Sequence, residues 1–101
     1  MREVAFSKLA EADLQAIDEY TESTWGVRQA DAYLDKIQSC CNRLARNPGM
    51  GRTWKRSDPE LRRIEHGSHV IFYRRTLRGI VILRVLHQSM LPDLQNYDES
   101  L

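Results

Sequence analysis

Polar and apolar residues alternate at the start of the chain, with Val4 and Phe6 on one side, and this pattern predicts a short first strand. Ser7 then stands where a helix cap would. From Lys8 to Thr24 the apolar positions Ala10, Leu14, Ile17 and Tyr20 or Thr21 recur at helical spacing, while Glu11, Asp18, Glu19 and Glu22 lie mainly off that stripe. An amphipathic, acidic helix is expected there, stopped by Gly26. A second periodic stretch runs from Arg28 to Arg46, with Ala30, Tyr33, Leu34, Ile37, Cys41, Leu44 and Ala45 on its apolar side, and ends at Asn47, Pro48 and Gly49. Two helices joined by so short a turn must run antiparallel, which makes them a hairpin with its apolar seam turned toward a common partner.

That partner should be a sheet. Pro48 to Glu60 reads as a loop rich in glycine, proline and charge, and three strand-like runs follow: Leu61 to His66, His69 to Thr76 and Gly79 to His87. Connections this short require the three runs to pair antiparallel. In the last run strict alternation puts Val81, Leu83, Val85 and His87 on one face and Ile80, Ile82, Arg84 and Leu86 on the other. Both faces are largely apolar, so one should meet the helices and the other should form a concave surface needing cover, with the tail from Met90 to Leu101 a candidate to supply part of it through Leu91, Leu94 and Tyr97. The expected class is α+β: an N-terminal strand, a helical hairpin, then a three-stranded antiparallel run packed on the hairpin. At 101 residues the chain is one domain, spanning 1–101.

Composition adds limits. Hydrophobic residues at 42% and charged residues at 29% give a globular balance, and the longest apolar run, Gly79 to Leu83, falls far short of the roughly 20 residues that span a bilayer. Charges arrive too early at the N-terminus for a secretory signal, so a cytoplasmic location is the default expectation. Cys40 and Cys41 are adjacent on a predicted helix, where neighbouring side chains diverge, and both are expected in or near the core as free thiols. Charge is unevenly placed: between Gly51 and Leu86 there are nine basic and three acidic residues, a net of +6, so with a total of +1 the remainder carries −5. This suggests a basic sheet or loop surface offered to an acidic partner.

Candidate chemistry is thin. His66, His69 and His87 have no cysteine or acidic companion at zinc-finger spacing, and no metal or other cofactor is expected. There is no nucleophile elbow and no phosphate-binding glycine loop. What remains is an arginine set on the sheet, Arg62 or Arg63, Arg74 or Arg75, and Arg84, with His87 beside it. Such guanidinium groups would stabilise charge on a scissile phosphate, with His87 or Tyr97 moving protons, or would equally clamp a partner's carboxylates. Spacing alone does not choose between these.

Five segments taken in order, LAEADLQAIDEYT (9–21), WGVRQADAYLDKI (25–37), NPGMGR (47–52), LRRIEHGSHVIFYR (61–74) and ILRVLHQSM (82–90), resemble the ParE-type toxins of the RelE/ParE superfamily from type II toxin–antitoxin modules. The resemblance implies the same strand, hairpin and sheet arrangement. It also implies a toxin that inhibits DNA gyrase and so blocks replication and growth. Such a toxin is neutralised by a ParD-like antitoxin in a hetero-oligomer, with no sequence-specific nucleic-acid binding by the toxin alone and no membrane partner. The related RelE branch cleaves mRNA on the ribosome. Here Arg63, Arg84 and His87 fall near the positions that branch uses, but Gln88, Ser89 and Met90 follow without a further lysine or arginine, which favours the gyrase reading over the enzyme. A module that keeps antitoxin binding and has lost toxicity is the third possibility. The expected antitoxin surface comprises Leu14, Ile17, Tyr33 and Ile37 from the hairpin with Arg63, Arg84 and Met90 from an exposed sheet face, a groove suited to an amphipathic, acidic segment. Target contact, or the alternative ribonuclease site, is expected at Arg63, Arg84, His87, Tyr97 and Trp54.

Overall fold

The computed structural model describes residues 2–55 and 58–90. Its elements run β1 (Glu3–Phe6), α1 (Lys8–Trp25), α2 (Val27–Arg46), a 3-10 turn (Pro48–Met50), β2 (Arg52–Lys55), β3 (Asp58–His66), β4 (His69–Arg75) and β5 (Gly79–His87). Ser7 caps α1 as its position suggests, its hydroxyl accepting from the Ala10 amide at 3.0 Å. One residue joins the helices: Gly26 sits at φ +95°, a conformation that a side chain would strain, and its amide donates to the Glu22 carbonyl.

The strands form a single five-stranded sheet in the order β1-β5-β4-β3-β2, with β1 parallel to β5 and every other pair antiparallel. The α+β class and the antiparallel run therefore stand, with two differences, the first in the segment before β3. The segment read as a loop contains β2, an edge strand paired to β3, and β3 starts at Asp58 instead of Leu61. Pairing decides here where composition misleads, because an edge strand needs main-chain partners on one side only.

The second difference lies in β5. Phe72 pairs with Arg84 but Tyr73 pairs with Ile82, so Leu83 is an extra residue in the ladder, a bulge. The bulge reverses the alternation that a regular strand would keep. Ile80 and Ile82 before it and Val85 after it all face the helices, joined there by Ile71, Tyr73, Ile37, Cys41 and Leu44. Val70, Phe72 and Leu86 form a smaller cluster on the opposite face, against Trp54. Cys40 and Cys41 are free and buried as expected, and burial together with its neighbour pushes the Cys41 thiol up to about 12. Among the described residues no helix is long and apolar enough to cross a membrane. The tail residues Leu91, Leu94 and Tyr97 lie outside the described residues.

Candidate protein-docking groove

The two ends of the α1–β5 contact are built differently because the strands differ in length. β1 accompanies β5 from Gly79 to Ile82, then the chain turns at Ser7 into α1 while β5 continues to His87. Ser7 closes the break: its amide donates to the Ile82 carbonyl at 2.9 Å and its hydroxyl to the Leu83 carbonyl at 2.8 Å. Beyond that point α1 replaces β1 beside β5. Asp13 reaches across, accepting from the Val85 amide at 2.9 Å and, through both carboxylate oxygens, from the Arg84 guanidinium at 2.8 and 2.9 Å. This bidentate pair is the internal form of the carboxylate clamp that the arginine set suggested.

Past Asp13 the helix and the strand enclose an open groove of ≈ 740 Å³. Ala16, Ile17, Tyr20 and Thr21 of α1 form one wall, Trp25, Gln29 and Tyr33 close the end near the helical turn, and Val85, Leu86, His87 and Met90 form the other side. Tyr20 and Trp25 are 69% and 67% exposed. Large apolar side chains left this open beside a concavity mark a surface for a partner more often than a folding core.

The polar end of the groove is organised by Tyr33. Its hydroxyl lies 2.5 Å from Nδ1 of His69, whose ring stacks edge-on against His87 with centroids 5.4 Å apart. Burial, then the neighbouring imidazoles of His87 and His66, lower the His69 pKa to about 4, so this ring is neutral near pH 7. Tyr33 also explains a turn glycine. Gly67 sits at φ +58° in the Gly67–Ser68 turn between β3 and β4, and a Cβ there would come within 2.9 Å of the Tyr33 hydroxyl. His87 takes the Ser89 amide on its own Nδ1 at 3.1 Å, and because an amide N–H only donates, the neutral ring carries its proton on Nε2. Among the described residues no three His, Cys, Asp or Glu side chains gather in a way that could hold a metal ion.

The residues expected from sequence are therefore divided. Ile17, Tyr33, His87 and Met90 do come together at the groove. Leu14 is half-buried against the main core, and Ile37 lies wholly inside it at 1% exposure, so Ile37 is not available to a partner. Arg84 was expected on an exposed sheet face, but it is 9% exposed with its guanidinium spent on Asp13. Arg63 is on the far side of the sheet, stacked 4.9 Å over the Trp54 ring. Trp54 is not a loop residue: it lies on β2 and meets Phe72 edge-to-face at 5.3 Å. Arg62, another member of the arginine set, donates to the Gly51 carbonyl at 2.8 Å and helps pin the loop before β2. Tyr97 lies outside the described residues. Asp13, Tyr20, Trp25, Gln29 and His69 belong to the groove and were not singled out for it in the sequence; only the helical phase of Tyr20 gave a signal.

Residues 4–92 match the family model described as the ParE toxin of the type II toxin–antitoxin system parDE. A Caulobacter vibrioides protein named Toxin ParE1 is 43% identical over 90 residues, which cover 89% of this chain and 93% of the relative. Among solved structures, the fold resembles one described as the chromosomal ParDE toxin–antitoxin system from P. aeruginosa, with a TM-score of 0.71 at 25% identity over 86% of this chain and 96% of the other. It also resembles the RelBE2 toxin–antitoxin complex of Mycobacterium tuberculosis, with a TM-score of 0.61 at 23% identity over 86% of this chain and 98% of the other. With a family match over nearly its whole length and a relative this similar, the chain belongs to the ParE toxins of type II toxin–antitoxin systems.

Proposed function

We propose that this ParE toxin arrests growth by binding and inhibiting DNA gyrase, and that a ParD-like antitoxin neutralises it by occupying the groove between α1 and β5. The observation that carries the reading is the separation of the residues a ribonuclease would need together. Arg63 lies opposite Phe72 on the face away from the helices, while His87 lies on the helix side, at the groove. Arg84 is neutralised by Asp13. Stabilising a phosphodiester transition state takes donors converging on one point, and these three do not converge. The open apolar groove is instead the kind of surface that binds another protein.

The reading is tested with purified toxin in two assays run side by side. Gyrase supercoiling should be inhibited and cleaved DNA should accumulate, whereas primer extension on translated mRNA should show no new ends. Ribosome-dependent mRNA cleavage with normal supercoiling would replace this reading with the RelE-like one. Silence in both assays, with antitoxin binding retained, would mark a module that has lost toxicity.

A further inference from the structure

We infer that the tip of the β4–β5 hairpin, Arg75 to Arg78, is the surface that engages the toxin's target, seating Leu77 in an apolar, carboxylate-rimmed pocket of a protein. This deepens the preceding reading, since it rests on the toxin acting by binding a protein, and it leaves the groove to the antitoxin.

The two central residues of this hairpin, Leu77 and Arg78, are poor turn formers. Two-residue connections that match the twist of paired strands need positive φ and favour glycine, asparagine or aspartate. Among the described residues only Gly26 and Gly67 have positive φ, so Leu77 and Arg78 both keep negative φ. The turn is closed from its flanks instead. Thr76 donates its amide to the Gly79 carbonyl at 2.9 Å and accepts the Gly79 amide on Oγ1 at 3.0 Å, while β1 holds the Arg78 carbonyl through the Glu3 amide at 2.8 Å. Leucine therefore serves no purpose in the turn, and at 103% exposure it serves none in the core. A single exposed leucine on a broad surface is ordinary. This one crowns a turn that three hydrogen bonds hold in place.

Its surroundings are cationic. Arg75 and Arg78 flank Leu77 and are exposed, and exposed Arg2 lies beside Arg78 because Glu3 is in register with Gly79. Arg78 has a loose ion pair with Glu3, 3.8 Å long, in which the two side chains are 73% and 51% exposed, and among the described residues Arg2 and Arg75 form none. An apolar centre ringed by weakly matched guanidinium groups is complementary to an apolar pocket with a carboxylate rim, the division of core and rim found at protein interfaces. The same ring is too small for a nucleic-acid backbone: proteins held by phosphate contacts make roughly six to ten of them, and the tip offers Arg2, Arg75 and Arg78. Leucine, moreover, is buried by a duplex only where a base step opens, which sacrifices stacking. The fixed turn loses little freedom on docking. β4 runs from His69 at the groove to Arg75 at the tip, roughly 20 Å at the rise of a strand, so antitoxin and target contacts are separable by substitution.

The test compares the full-length native toxin with Leu77→Ser and Arg75→Glu. The readouts are affinity for a ParD-like antitoxin that binds the native protein, inhibition of gyrase supercoiling, binding to purified gyrase without DNA, and growth arrest on induced expression. Antitoxin affinity should stay within about twofold of native for both variants, which also shows that they fold. Half-inhibition of supercoiling should need about tenfold more of either variant, binding to DNA-free gyrase should weaken by about the same factor, and growth should continue at the expression level where the native toxin stops it. Undiminished inhibition by either variant, or a parallel loss of antitoxin affinity, would overturn the inference, and a loss confined to assays containing DNA would replace it with contact to the duplex. If the native toxin arrests growth without inhibiting gyrase, the gyrase reading fails and the growth assay decides for the tip: continued growth with the variants supports it, and unchanged arrest overturns it. A native toxin that neither inhibits gyrase nor arrests growth has no target for the tip to meet, which overturns both.

Discussion

Asp13 is the residue on which most depends at this site. It satisfies a strand amide, neutralises a nearly buried guanidinium and sets the upper limit of the groove. A buried ion pair adds little net stability over an apolar pair, but removing one partner strands the other charge. Asp13→Ala is therefore expected to cost about 3–5 kcal/mol by urea unfolding, while the double replacement Asp13→Leu with Arg84→Met should recover most of it. His69 gives a pH signature. Its pKa falls to about 4 in the folded protein, from 6.5 for an ordinary histidine, with burial the main cause and His87 and His66 adding to it. Between pH 6.5 and pH 4 the unfolded chain binds a proton that the native state refuses, so stability drops as pH falls through that window, and this group adds no further loss below it. His66, whose pKa is also lowered by burial and then by Arg43 and Lys36, acts in the same direction. Chemical denaturation across the window should show a flatter dependence for His69→Gln than for the native protein.

At the level of elements, the attachment of β1 fixes where the groove begins, and Gly79 is the position that permits it. A Cβ on Gly79 would press on the Glu3 carbonyl oxygen and come within 2.5 Å of the Glu3 nitrogen, main-chain atoms with no rotamer to escape through. Gly79→Ala should cost about 1–3 kcal/mol and loosen β1, read as faster exchange of the Ala5 amide. Gly49→Ala, with nothing within 4 Å, should change stability by under about 0.5 kcal/mol. The helical hairpin and the three long strands were legible in the sequence because each carries its own periodicity over many residues. The β5 bulge was not, since Leu83 is as apolar as its neighbours and only pairing with β4 shows it to be supernumerary. β2 was hidden for a related reason: its four residues, Arg52–Lys55, carry too little pattern to outweigh the glycines and proline around them. Arg84 was misread because its partner lies 71 residues away, and no local spacing announces a carboxylate on α1.

Over the whole molecule, the apolar stripe of the hairpin serves two ends, and sequence periodicity cannot divide them. Strand length does. β5 has nine residues and β1 has four, so among the described residues the helices are backed by a complete sheet at one end and at the other by a stretch of β5 that β1 does not accompany. Ile37, Cys41 and Leu44 belong to the core, whereas Tyr20 and Trp25 line the groove beside the end of β5 and are exposed among the described residues. Truncations should separate the two roles. Ile37→Ala leaves a cavity among residues that cannot close around it and is expected to cost about 2–5 kcal/mol in urea unfolding. Trp25→Ala removes a larger side chain that solvent already reaches over two-thirds of its surface, and should leave stability within about 0.5 kcal/mol. The same Trp25→Ala protein, titrated calorimetrically with a ParD-like antitoxin that binds the native protein, should bind at least tenfold more weakly, as expected for an aromatic anchor at an interface. Equal affinities for the native and Trp25→Ala proteins would mean that the groove is not where the antitoxin sits, and a large loss of stability in Trp25→Ala would assign this end of the hairpin to folding after all.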